Sequence, residues 1–210
     1  MSEPGMSEPG VSEPGVSEPG ADRKGRVAPL IVLAVAVAMA GLFWVLIGAK
    51  SGGEAESAYT PLLGQPAPAV KTTTLDGTPF DLQRRKGSWV VLNFFDSTCV
   101  PCVREHPELV QFAEQQEQPN SMGAELYTVI FNADRASDVS TFFEQNGGTW
   151  PVLTDENADI QVGFSVSKVP ETWIIDPDGR IVFRTITQVT DDSLTQELTK
   201  LSAAYDQGAE

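Results

Sequence analysis

The sequence predicts an α/β domain with a mixed central sheet, flanked by helices and preceded by one transmembrane helix. Three observations predict it. Residues 89–95 (WVVLNFF) and 124–131 (AELYTVIF) are almost continuous apolar, β-prone runs, as strands buried on both faces must be. Helical patterns over residues 101–118, 136–145 and 191–204 alternate with strands, and a late strand pair is joined by Pro177-Asp178-Gly179, a strong hairpin turn. Residues 27–49 contain no charged side chain.

The chain of 210 residues is uneven in composition. Residues 1–20 are four copies of a pentapeptide, MSEPG twice and VSEPG twice. Nothing in them offsets the entropy of ordering, so residues 1–26 read as a disordered cytoplasmic tail. A helix over residues 27–49 (VAPLIVLAVAVAMAGLFWVLIGA) spans about 34 Å, enough to cross the hydrocarbon core. Arg23, Lys24 and Arg26 precede it, and Lys50, Glu54 and Glu56 follow. The positive-inside bias then leaves the N-terminus in the cytoplasm and the following domain outside. A core helix would show a polar face, and a signal peptide has a shorter apolar region. Cleavage near residues 55–57 is the alternative to an uncleaved anchor. Residues 50–60 are small and polar and read as a linker, and residues 61–210 as the domain.

Within the domain, residues 69–73 and 78–82 form a hairpin about Asp76-Gly77. Strand 89–95 follows, then helix 101–118, with Val103, Leu109, Val110 and Phe112 as its expected buried side and Pro107 as an expected kink. Strand 124–131 leads to helix 136–145, which carries Val139, Phe142 and Phe143 on one face and stops at Gly147-Gly148. A short extended segment (150–153) and a short helix (158–164) come next. Strands 172–176 and 180–188 and helix 191–204 complete the domain, with Asp191 or Asp192 as the helix cap.

The formal net charge is -15. A surface this acidic repels phosphate backbones, so nucleic acid is not an expected partner. The two cysteines form Cys99-Val100-Pro101-Cys102. A loop that short restricts little unfolded-chain entropy, so the pair makes a poor structural staple. Zinc needs about four ligands, and the chain adds only His106 and carboxylates to the two thiols. Attached haem needs a histidine after the second cysteine, where Val103 stands. Redox chemistry remains, beside the plain alternative of two inert thiols. Cys99 follows a strand and a short Asp96-Ser97-Thr98 turn, which sets it at a helix N-terminus. There, free N–H groups and the positive end of the dipole stabilise a thiolate, the attacking species in disulfide exchange. Cys102, one turn deeper, can resolve the mixed disulfide, and Pro101 stiffens the first turn. No metal and no cofactor beyond the dithiol itself is expected.

Val169-Pro170 stands at the edge of a central-looking strand, where a proline breaks the ladder; a cis bond is one reason for it and a plain trans loop the other. With these residues in view, VVLNFFDSTCVPCVREHPEL, VSKVPETWIIDPDGRIVFR and the upstream LLGQPAPAV…LDGTPFDL together resemble the TlpA/ResA/CcmG group of thioredoxin-fold proteins, related to the redoxins, over roughly residues 61–205. The resemblance implies a thioredoxin-like fold with an N-terminal hairpin and an insertion around residues 133–164. It implies a cis Val169-Pro170 bond beside Cys99, with Val169, Pro170 and Pro101 meeting the bound partner chain. It also implies that Glu105 tunes the thiols alongside Cys99 and Cys102 as the catalytic residues. On physical grounds alone Glu105 is equally an ordinary acid near a helix N-terminus.

Three departures stand out. Thr98 and Phe95 replace frequent tryptophans, and Asn93 holds the place of the buried aspartate of thioredoxin itself. Asparagine accepts no proton at neutral pH, which leaves acid–base work to Glu105. His106 reads most simply as a solvated surface histidine.

The resemblance implies an extracytoplasmic thiol–disulfide oxidoreductase, most directly a reductant of protein disulfides such as those of apocytochrome c, recharged by a membrane thiol-reducing partner. An oxidant of secreted proteins uses the same chemistry in reverse. A peroxiredoxin would need threonine and proline where Asp96 and Leu92 stand. A non-enzymatic binding module would not need both cysteines intact.

Overall fold

The computed structural model describes residues 28–48, 57–131 and 134–208, with side chains of the first helix described for 31–43. The tail expected over 1–26 and most of the linker lie outside the described residues. The chain divides into two units, Met1–Lys50 and Ser51–Glu210. In the first, α1 runs over Ala28–Gly48. Among the described residues no helix is long and apolar enough to cross a membrane, and the span expected over 27–49 extends beyond them.

The second unit is built on a five-stranded sheet of order β5-β4-β3-β6-β7, formed by β3 (Val90–Phe95), β4 (Glu125–Ile130), β5 (Val152–Leu153), β6 (Glu171–Ile175) and β7 (Ile181–Thr185). β3 pairs parallel with β4 and antiparallel with β6, so the sheet is mixed, as expected. Alternation along β3 assigns its side chains. Val90, Leu92 and Phe94 enter the core under the β1–β2 hairpin (Lys71–Thr73 and Pro79–Asp81) with Phe80, Phe164 and Trp173. Val91 enters the opposite core with Leu109, Phe112, Leu194 and Leu198, from α2 (Val100–Gln116) and α5 (Asp191–Gly208). Burying one such aromatic or aliphatic side chain contributes roughly 1.5–3 kcal/mol.

Both edges of the sheet are occupied. β5 receives the hairpin, with Leu75 N–H donating to Val152 O and Thr154 N–H to Thr73 O, both at 2.9 Å. β7 receives the incoming chain: Ala58 N–H donates to Arg184 O at 2.7 Å, Gly64 N–H to Ile181 O at 2.7 Å, and Ile181 N–H to Gln65 O at 2.9 Å. Docked chain therefore starts upstream of residue 61, and Thr60 is buried.

Two local expectations are corrected. The buried face of α2 is Cys102, Glu105, His106, Leu109 and Phe112, while Val103 is 38% exposed. That face follows the i, i+3, i+4, i+7 rule but carries polar residues, which hydrophobicity alone passes over. The cap of α5 is Thr190: its Oγ1 accepts Ser193 N–H at 3.1 Å while Ser193 Oγ accepts Thr190 N–H at 2.9 Å, a reciprocal capping pair. Asp191 and Asp192 sit in the first turn. Pro107 lies inside α2 without ending it. Residues 136–163 hold α3 (Ala136–Asn146), β5 and α4 (Asp159–Gly163).

Candidate active site

The site begins where β3 ends. Asp96 Oδ1 accepts Thr98 N–H at 2.8 Å and the Thr98 hydroxyl at 2.6 Å, and Asp96 O accepts Cys99 N–H at 3.1 Å. The carboxylate folds the three-residue turn on itself, as short side chains with an acceptor do. Ser97 N–H is held from outside by Asp134 Oδ2 at 2.6 Å, a contact the sequence did not signal.

This turn delivers Cys99 as the N-cap of α2, in extended backbone (φ -76°, ψ 107°), with its sulfur accepting Cys102 N–H at 3.2 Å. A helix N-terminus presents free N–H donors and positive potential to whatever charge sits there. Cys99 and Cys102 form a disulfide with Cα atoms 5.3 Å apart. Cys99 is half-buried and Cys102 fully buried, so one sulfur is open to a partner and the other is not. Pro101 is exposed beside them, and its carbonyl accepts Gln188 Nε2 at 2.7 Å.

Val169-Pro170 is a cis peptide, and Val169 O lies 3.7 Å from Cys99 Sγ. The structure thus brings Cys99, Cys102, Pro101, Val169 and Pro170 to one end of the sheet. The next residue, Glu171, is wholly buried and pairs with Arg184 Nε at 2.8 Å. The Arg184 guanidinium also covers the Trp173 ring at 5.1 Å and donates to Tyr59 O at 3.3 Å. The only signal of this pair in the sequence is one acid and one base on the two strands of a hairpin.

Glu105 is buried on the same face of α2 as Cys102, one turn away, where side chains three apart are neighbours. Oε1 accepts Val189 N–H at 2.8 Å and Oε2 accepts Asn93 Nδ2 at 3.1 Å. Burial pushes its carboxyl up to about 7, against the opposing pull of those two donors. This is not the solvated acid of an ordinary helix N-terminus.

His106 corrects the expectation of a surface histidine: it is 1% exposed. Its ring sits among Phe95, Phe142, Phe143 and Trp150, and Nε2 lies 2.8 Å from Gly147 O. A carbonyl accepts only, so Nε2 carries the proton and Nδ1 is left buried without a partner among the described residues. Burial lowers the pKa of the imidazole, partly offset by the bond to Gly147. Gly147, with φ 80°, takes a backbone conformation that side chains disfavour, and so turns its carbonyl from the end of α3 toward α2.

A family model described as Redoxin matches residues 62–201. The thiol-disulfide oxidoreductase ResA of Bacillus anthracis is 30% identical over 141 residues, covering 67% of this chain and 79% of that protein. The thiol:disulfide interchange protein HelX of Rhodobacter capsulatus is 30% identical over 178 residues, covering 83% and 96%. Among solved structures, the thioredoxin domain of a thiol-disulfide oxidoreductase from Bacteroides vulgatus superposes with a TM-score of 0.58 at 23% identity, over 68% of this chain and 99% of that one. This likeness establishes the thioredoxin-like fold.

Proposed function

Because this chain belongs to the redoxin family, we propose that it works outside the cytoplasm as a reductant of protein disulfides, with Cys99 as nucleophile and Cys102 as resolving thiol. It is a thiol–disulfide oxidoreductase of the ResA and HelX type. The observation that carries the reading is the asymmetry of the pair: a half-buried sulfur capping α2 and a buried sulfur one turn below.

In the reduced protein the Cys99 thiolate attacks one sulfur of a partner disulfide. A Cys99–partner bond forms, the partner S–S bond breaks, and the released partner thiolate takes up a proton. Cys102 then gives its proton to the Glu105 carboxylate and attacks Cys99 Sγ. The Cys99–Cys102 bond forms as the mixed disulfide breaks, and the second partner sulfur leaves. Two electrons have passed to the partner, and a membrane dithiol restores the domain. Val169 O, beside Cys99, accepts an N–H of the partner chain, with Pro170 and Pro101 framing it. Apocytochrome c is the partner class the family resemblance suggests.

The exposed apolar side chains of α1, Ile31, Leu33, Leu42 and Phe43 among them, support anchoring in the cell membrane. Equilibration with a glutathione redox buffer tests the direction. A potential near that of thioredoxin, about -270 mV, is expected; one near -120 mV overturns the reductant reading.

A further inference from the structure

Asn93 lies on the α2 side of β3 and is fully buried. Both hydrogens of its amide are used: Nδ2 donates to Glu105 Oε2 at 3.1 Å and to Thr172 Oγ1 at 3.1 Å. Its Oδ1 has no partner among the described residues. Leaving a buried acceptor this way is costly, so its presence asks for a reason.

The reason lies in what each group can do. An ionised carboxylate only accepts, and the amide now faces Glu105 with its donor side. Once Glu105 carries a proton, one of its oxygens donates. The same amide, turned by half a turn about its final torsion, offers Oδ1 to that O–H. That torsion is broad and roughly two-fold in asparagine. The Thr172 hydroxyl follows the turn, because it donates as readily as it accepts.

We propose that Asn93 and Thr172 are positioning residues for thiol exchange: together they form a two-way hydrogen-bond partner for Glu105, the amide turning over as the carboxyl gains or loses a proton. The proposal rests on the reading of Glu105 as proton acceptor. In the resolving step the Cys102 S–H proton moves to the carboxylate, and the sulfur electron pair forms the bond to Cys99 as the partner sulfur leaves. Asn93 then turns Oδ1 toward the new O–H. Release of that proton to solvent returns the amide to the donor-side orientation it has in the disulfide form seen here, and the recharging dithiol supplies Cys102 with a proton again. An aspartate at 93 would instead set a second carboxylate against the first.

The surroundings leave this pair to itself. Cys102 and His106 adjoin Glu105 on α2, and His106 turns its ring to Gly147 O. β6 presents Thr172, with Glu171 engaged by Arg184. The segment before α5 presents Val189 N–H, and Asp191 N–H is taken by Glu108 Oε2. Among the described residues, burial, Val189 N–H and the Asn93 amide are what set the protonation of Glu105.

The test is an NMR titration of the full chain in detergent micelles, with 13C-labelled glutamate and 15N-labelled asparagine, from about pH 5 to 9 around the value expected of Glu105. The Asn93 side-chain amide and the Glu105 carboxyl are expected to move with one midpoint. A Glu105 signal that titrates past an unmoved Asn93 amide overturns the proposal. In Asn93→Leu both charge states lose their partner, so the Glu105 midpoint is expected to move by less than about half a pH unit; a rise of about one unit or more marks a one-way donor and also overturns it. The pH profile of exchange with oxidised glutathione, measured for Glu105→Gln, separates the two readings. If the profile ignores that change, the acid–base role of Glu105 fails and the proposal with it. If the profile follows Glu105 while the Asn93 amide stays still, only the two-way partner fails.

Discussion

Arg184 Nε donates to Glu171 Oε1 at 2.8 Å, and Glu171 stands directly after the cis Val169-Pro170 bond, whose Val169 O lies 3.7 Å from Cys99 Sγ. Glu171 is fully buried and Arg184 is 17% exposed at its side chain, so the pair is screened little by solvent. Removing one partner of such a pair leaves an uncompensated charge, at a cost on the order of 3–5 kcal/mol. Arg184→Leu is therefore expected to lower the urea midpoint sharply. Arg184→Leu with Glu171→Leu is expected to recover most of the loss. A single variant as stable as the parent would show that the pair contributes nothing.

The two sulfurs differ in access, and their variants should differ in kind. Cys102→Ser is expected to accumulate mixed disulfides through Cys99, visible on non-reducing gels and released by reductant. Cys99→Ser is expected to form almost none, because Cys102 is buried. After reduction, iodoacetamide is expected to label Cys99 far faster than Cys102, as thiolate access dictates. Equal labelling rates would remove the assigned order of attack.

Glu105 ties stability to pH. Its folded value, about 7, lies above its ordinary 4.5, so the folded state holds a proton that the unfolded chain releases. Stability is then greatest below about 4.5 and is lost as pH rises through about 7. Glu105→Gln removes that loss. The variant is expected to match the parent near pH 4.5 and to exceed it by roughly 2–4 kcal/mol at pH 8, read as urea midpoints. A gap that does not widen with pH would contradict the burial of an ionisable carboxyl there.

His106 acts in the opposite sense. Burial lowers its pKa from 6.5, so the stability it confers is present above 6.5 and is lost as pH falls below it. His106→Leu is expected to flatten the acid limb of the stability curve. It also leaves Gly147 O without its donor, at a pH-independent cost of about 1–3 kcal/mol. An acid limb unchanged in slope would mean that the imidazole is charged inside its aromatic surround.

The backbone plan was legible because its signals are local. β3 announced itself as an unbroken apolar run, the β6–β7 turn as Pro-Asp-Gly, and the nucleophile as a cysteine between strand and helix. The polar interior was not legible, because its partners are distant in sequence. Asn93 meets Glu105 across 12 residues, His106 meets Gly147 across 41, and Glu105 meets Val189 across 84. No window read along the chain assembles such contacts, and a rule that sorts polar residues outward exposes each of them. The same rule placed Val103 inside, although Cys102, Glu105 and His106 occupy the face it would need. For α5, attention to acidic caps passed over Thr190 and Ser193, whose reciprocal bonds are as local as any in the chain.

Among the described residues, the chain that runs along β7 and the hairpin laid against β5 occupy both flanks of the sheet. An unfinished flank recruits any extended polypeptide that drifts past, and repeated recruitment ends in fibres or swapped subunits. An oxidoreductase that works on unfolded chains would meet that hazard at every turnover. Among the described residues both flanks are occupied, which leaves such a chain the end of the sheet that carries the two sulfurs.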